Sequence, residues 1–131
     1  MPLSRISLLE GQGSAYLQAV SNSLHRALVE CFDVPLADRF QIFQQLRPEE
    51  FVFDRHYMGG PRSEDFVLIA ITAGRPRDTR TKRAFYERLV ELLEIEPGIR
   101  PQDVMVVINT TASDEWSFGN GVASLLPNQT P

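Results

Sequence analysis

A chain of 131 residues has the length of one domain and can bury about two-thirds of the surface its unfolded form exposes. The 17 acidic against 13 basic residues leave a net charge of −4, and no basic run is long enough to track a polyanion, which argues against nucleic-acid binding. A single cysteine, Cys31, excludes an internal disulfide; no apolar run reaches the ~18 residues of a membrane span and no basic-then-apolar leader opens the chain, so a cytoplasmic protein is expected.

Taken in order, Leu3 to Leu9 reads as a strand ended by Glu10-Gly11-Gln12-Gly13. Ser14 can cap a helix, because Leu17, Val20, Leu24, Leu28 and Cys31 then recur at threes and fours. Cys31 is expected as a small buried hydrophobe, whereas His25, one residue past Leu24, should point off the inner face into solvent. The helix stops before Asp33-Val34-Pro35. Arg39 to Leu46 reads as a second strand and Phe51-Val52-Phe53 as a shorter one. His56 sits in the loop before Gly59-Gly60.

Phe66 to Ala73 is an uncharged apolar run bounded by turn residues on both sides, the pattern of a central strand buried on two faces. Beyond Gly74, Asp78 can cap a second helix whose inner face holds Phe85, Leu89, Leu92 and Leu93, and Pro97-Gly98 ends it. Val104 to Ile108 is another buried strand, and Trp116 to Gly121 opens a C-terminal tail.

Displacing the sequence so that Leu3 falls on Leu68 also lays Val20, Leu24 and Leu28 on Phe85, Leu89 and Leu93. Two consecutive β-α-β units are implied, roughly 1–60 and 66–131, within one domain spanning 1–131. A crossover helix makes the two strands of each unit parallel. The expected fold is therefore of α/β (α+β) class, one four-stranded sheet with both helices on one face. Residues such as Leu68, Ala70 and Val106, or their alternates, would line the other face, which one helical layer cannot cover. An oligomer should bury it.

Chemistry concentrates after the central strand. Arg75 and Arg77, separated by Pro76, can share one face at its end and clamp a carboxylate or phosphate by paired hydrogen bonds, the alternative being that both simply solvate the strand end. Two distant histidines and one cysteine offer no readable metal site, and no phosphate-binding glycine loop is present.

With Met1-Pro2-Leu3 at the start, the turn Val34-Pro35-Leu36-Ala37-Asp38-Arg39, the Arg75-Pro76-Arg77 pair and the tail Trp116-Ser117-Phe118-Gly119, the chain resembles the tautomerase superfamily. Within it the likeness is to the malonate semialdehyde decarboxylase group, and it covers nearly the whole chain. The resemblance implies two β-α-β units, a closed ring of three subunits, no cofactor, and an amino-terminal proline exposed when the initiator methionine is removed. It departs from the family at Val122-Ala123-Ser124-Leu125-Leu126, which lacks an aromatic residue expected there.

Under that resemblance Pro2, Asp38, Arg75 and Arg77 are the expected catalytic set, acting on a small 3-oxo acid. Neutral, the Pro2 amine can act as base or nucleophile; protonated, it can polarise a carbonyl. Arginines lower its pKa and a carboxylate raises it, and Asp38 is expected to prevail. Trp116, Phe118, Leu125 and Leu126 are candidates for an apolar wall that favours neutral carbon dioxide over carboxylate. Two rival readings use the same fold: a keto–enol tautomerase or hydratase of unsaturated or halogenated short acids, and a non-catalytic binding protein.

Overall fold

Strict alternation of buried and less buried residues along β1 (Pro2–Leu9) and β3 (Val67–Ala73) sets the frame of the computed structural model, which describes residues 1–127. Side chains on a strand point alternately to opposite faces, so a period of two means that one face is covered and the other is not. Between these strands lie α1 (Ser14–Cys31) and β2 (Phe40–Leu46); after them come α2 (Thr79–Ile95) and β4 (Val104–Thr110). Positions 128–131 of the expected second half lie outside the described residues.

The four strands form one sheet in the order β2-β1-β3-β4. Each β-α-β unit contributes a parallel pair, β1 with β2 and β3 with β4, and the units join antiparallel through β1 and β3. The covered face carries Ile6, Leu8, Val67, Ile69 and Ile71 against Val20, Leu24, Leu28, Phe85, Leu89 and Leu93, all of them buried. The two helix faces that coincided in the sequence repeat are thus the two halves of one core. Ser23 on α1 ties the helices together, its hydroxyl donating to Glu96 O at 2.7 Å.

Several local expectations change. Gly13, rather than Ser14, is the cap residue of α1. Phe51 and Phe53 belong to no strand; they pack with Phe66 as an aromatic cluster, with ring centroids 4.4–5.5 Å apart, so the apolar character marks a satellite core under a loop. Val106 points toward the helices, and Met105 and Val107 occupy the open face beside Leu68 and Ala70. Cys31 is only partly buried. His25 is only 2% exposed, because the segment after α1 folds back over the helix flank that carries it. Among the described residues no helix is long and apolar enough to cross a membrane.

The open face keeps Ile42, Met105 and Val107 more than two-fifths exposed. At its far end a hollow of about 560 Å³ is lined by Phe51, Phe53, Phe66, Leu68 and Met105 among others.

The long loop that builds this hollow is pinned by Asp103, which is 0% exposed. Its carboxylate accepts from the Ser63 backbone N–H at 2.6 Å and the Ser63 hydroxyl at 2.7 Å, and pairs with Arg100 at 3.3 Å. Burial pushes this carboxyl up, but the Ser63 bonds and Arg100 together hold it below the ordinary carboxylate value. A depressed folded value means stability that is present above the unfolded pKa and is lost as pH falls through the folded one. Asp103→Asn should therefore cost about 2 kcal/mol in urea unfolding at pH 7, with the gap to the unmodified chain narrowing at pH 3. A gap of equal size at both pH values would show that shape, and not charge, matters at this position.

Candidate active site

Strand direction decides which residues meet. β1 and β2 begin at the sheet edge where β3 and β4 end, because the two parallel pairs run opposite ways. Pro2 pairs with Ala73, and the ladder continues one step further as Gly74 N–H donates to Met1 O at 3.1 Å. Asp38 precedes β2 and so arrives beside the same end. Thr111, just past β4, donates its backbone N–H to Ala73 O at 2.9 Å. Its hydroxyl accepts from the Trp116 indole N–H, which anchors the tail over the edge.

A cavity of about 350 Å³ opens at this edge, lined by Met1, Pro35, Ala37, Asp38, Phe40, Phe118, Ser124 and Leu125. Phe118 meets Phe40 with centroids 5.8 Å apart and stacks on Trp116 at 5.6 Å. Of the four apolar-wall candidates, Phe118 and Leu125 line the cavity and Trp116 backs Phe118. Leu126 lies outside the lining and is 39% exposed.

Asp38 Oδ2 lies 3.5 Å from the amino-terminal nitrogen, which here belongs to Met1. In the chain that carries Met1, the nitrogen of Pro2 is an amide and has no basic lone pair. Burial pulls the Met1 amine down, Asp38 raises it, and Arg77 and Arg75 lower it; the result lies below the ordinary amino-terminal value. Asp38 was expected to outweigh the arginines at Pro2. At the Met1 nitrogen burial takes the leading part, a contribution that the comparison of charges alone omitted.

The two arginines flank the cavity without lining it. Arg77 is fixed: its guanidinium donates twice to Phe32 O, at 2.9 and 3.2 Å, and once to Arg75 O at 3.0 Å. It also lies 4.2 Å from the centre of the Phe32 ring. Arg75 is half-exposed and paired with Asp33 at 2.6 Å, an exchangeable contact of small net strength. One cation is therefore held in place and the other is free to change partner.

Three contributors carried no sequence signal read as functional. Phe40 opens β2, and its chain neighbourhood to Asp38 was the available clue. Ser124 accepts from the Phe118 backbone N–H at 2.8 Å and shapes the tail. Gly74, read as a strand terminator, sits where three segments converge. A Cβ at Gly74 would lie 3.2 Å from Met1 Cβ, 3.3 Å from Trp116 Nε1 and 3.4 Å from Leu125 Cδ1.

Comparison with known proteins places this geometry. The family model described as "Tautomerase enzyme" matches residues 38–119. The curated relative "Probable tautomerase YusQ" of Bacillus subtilis (strain 168) is 32% identical over 126 residues, 96% of this chain and 99% of that protein. A crystal structure of malonate semialdehyde decarboxylase superposes with a TM-score of 0.89 at 36% identity, covering 94% of this chain and 95% of that one. A fused 4-OT, described as a symmetric trimer, shares the fold at a TM-score of 0.74 and 20% identity, covering 92% and 94% of the two chains. The molecule is an enzyme of lyase or isomerase type. It belongs to the tautomerase family, and within that superfamily it is like malonate semialdehyde decarboxylase.

The crowding at Gly74 is open to a direct check. Gly74→Val should displace Trp116, costing about 1–3 kcal/mol of stability and shifting the emission of the chain's single tryptophan. An unchanged emission maximum together with unchanged stability would mean that the three segments do not meet tightly at Gly74.

Proposed function

We propose that the chain is a cofactor-independent decarboxylase of short 3-oxo acids that works through the amine of Pro2 once Met1 has been removed. The observation that carries this reading is the convergence of four elements on one sheet edge. The start of β1, Asp38 before β2, the arginines after β3 and the tail after β4 all reach it. Removing Met1 turns the Pro2 nitrogen into a secondary amine facing space that Met1 now fills. The likeness to malonate semialdehyde decarboxylase at 36% identity supports the choice of substrate class.

In this mechanism Arg75, leaving Asp33, joins Arg77 on the substrate carboxylate and turns it perpendicular to the 3-oxo carbonyl plane. The protonated Pro2 amine, next to Asp38, donates a hydrogen bond to the carbonyl oxygen. The bond between the carboxylate carbon and the neighbouring carbon breaks. Its electron pair is delocalised onto the carbonyl oxygen as an enolate while carbon dioxide leaves. The enolate carbon then takes a proton from the Pro2 ammonium or from solvent. The arginines orient the carboxylate but cannot lower the barrier by gripping it, since its charge is leaving in the transition state. Phe118 and Leu125, backed by Trp116, supply the apolar surface that favours neutral carbon dioxide.

A second reading, keto–enol tautomerase or hydratase, uses the same residues with a neutral Pro2 as base. The lowered value of the Met1 amine, set by burial at the edge where the Pro2 amine would open, is the observation that favours it.

The open sheet face supports a closed ring of three copies. Phe40, Ile42, Met105 and Val107 form apolar surface of a kind that monomers rarely leave exposed. A partner copy packed on this face would cover it.

Pro2→Ala should leave folding intact and lower the release of carbon dioxide by about a hundredfold or more; an equally active variant removes Pro2 from the mechanism. Arg77→Ala should weaken binding of a non-reactive short carboxylate by roughly tenfold or more, as expected for a charged hydrogen-bonding partner, while sparing its methyl ester. Equal losses for acid and ester would make Arg77 structural. Sedimentation at micromolar concentration should give a species of three chains, and a stable monomer contradicts the ring.

A further inference from the structure

We propose that His25 is a positioning residue of the site: its imidazole holds the turn that carries Asp38 and so sets where that carboxylate meets the strand-opening amine. The inference rests on the roles given above to Pro2 and Asp38.

His25 is 2% exposed on α1, and its Nε2 lies 2.7 Å from Leu36 O. A carbonyl oxygen only accepts, so Nε2 carries the hydrogen. Nδ1 is buried and has no hydrogen-bond partner among the described residues.

Leu36 is the second residue of a turn closed by Asp38 N–H donating to Pro35 O at 3.0 Å. Its carbonyl belongs to the central peptide of that turn. Holding this carbonyl fixes the rotation of the peptide plane, and with it the direction in which the chain leaves at Asp38. Packing cannot do this, because the Leu36 side chain is 77% exposed. Further ties to α1 flank the turn: the Val34 N–H donates to Leu28 O at 3.3 Å before it, and Arg39 donates to Asn22 Oδ1 at 2.8 Å and to Ser21 Oγ at 3.2 Å beyond Asp38.

Asp38 depends on such support. Its Oδ2 is buried and accepts no hydrogen bond among the described residues. Its 3.5 Å ion pair with the amine is too long to orient it. The direction of the carboxylate is therefore inherited from the turn. The charged groups acting on the amine are Asp38 from this turn and Arg75 and Arg77 from the segment after β3.

The test compares His25→Leu, His25→Asn and His25→Gln in Met1-free protein. Glutamine can place a donor near the position of Nε2, whereas the asparagine amide stops near Nδ1. Two readouts are nitrogen-15 NMR titration of the Pro2 amine and the separate kcat and KM for a short 3-oxo acid. In the Leu and Asn variants the Pro2 midpoint should fall toward that of Asp38→Asn. Their kcat should drop roughly tenfold, in line with the loss of one buried hydrogen bond, with KM little changed. His25→Gln should restore both quantities. If Leu fails to fold, the Asn and Gln pair carries the comparison.

Variants that lose thermal stability yet keep the original midpoint and kcat would make His25 a plain core residue and overturn the inference. If Asp38→Asn moves the midpoint and the His25 variants do not, only this inference is lost. If Asp38→Asn itself leaves the midpoint in place, the role given to Asp38 fails and the inference falls with it.

Discussion

The antiparallel pairing of β1 with β3 is the constraint on which the rest of the molecule depends. Each β-α-β unit is parallel within itself, so a unit alone would keep strand starts and strand ends at opposite edges. Joining the units antiparallel puts the starts of β1 and β2 beside the ends of β3 and β4. The register is held by Ile6 opposite Ile69 and Leu8 opposite Val67, all facing the helices. A slip of one residue would turn these side chains out of the core. The core that stabilises the fold thereby also aligns Pro2 with Ala73.

That alignment creates an electrostatic balance rather than a simple pocket. An amino-terminal nitrogen lies 3.5 Å from a carboxylate whose buried Oδ2 accepts no hydrogen bond among the described residues, and it feels two guanidiniums, one tied to Phe32 O and one paired with Asp33. Partial burial strengthens each of these influences and adds its own bias toward the neutral amine. Small displacements of Asp38 can therefore change which chemistry the amine favours. Under the proposed function the same groups would serve either decarboxylation or proton transfer, and under the proposed role of His25 the Pro35–Asp38 turn would set the balance.

Much of the fold was legible because helical and strand periodicities are strong where one face is buried. Val20, Leu24 and Leu28 superposed on Phe85, Leu89 and Leu93, and all six lie in the core. The Asp78 cap was legible as well, its side chain accepting from Thr81 N–H at 2.8 Å. The misreadings arose where loops supply the burial. His25 lies off the helix stripe, but the returning segment covers it, and no periodicity within α1 records that. Phe51 and Phe53 resembled a strand because aromatic residues mark burial of either kind. At the site, residue types singled out the Arg75 and Arg77 pair, whereas Asp38 was picked out by the family resemblance. The crowding at Gly74 and the contacts of Phe40 exist only once four strand ends are brought together.

The central claim is that this sheet edge acts on substrate through the amine of Pro2. It is tested most directly with two preparations of the same chain that differ only in Met1, each verified by intact mass and matched in thermal stability. Carbon dioxide release from a short 3-oxo acid is then measured for both. The account predicts turnover in the Met1-free protein and its loss, by about a hundredfold or more, when Met1 is retained and the nitrogen of Pro2 is an amide. Equal turnover from the two preparations would contradict it.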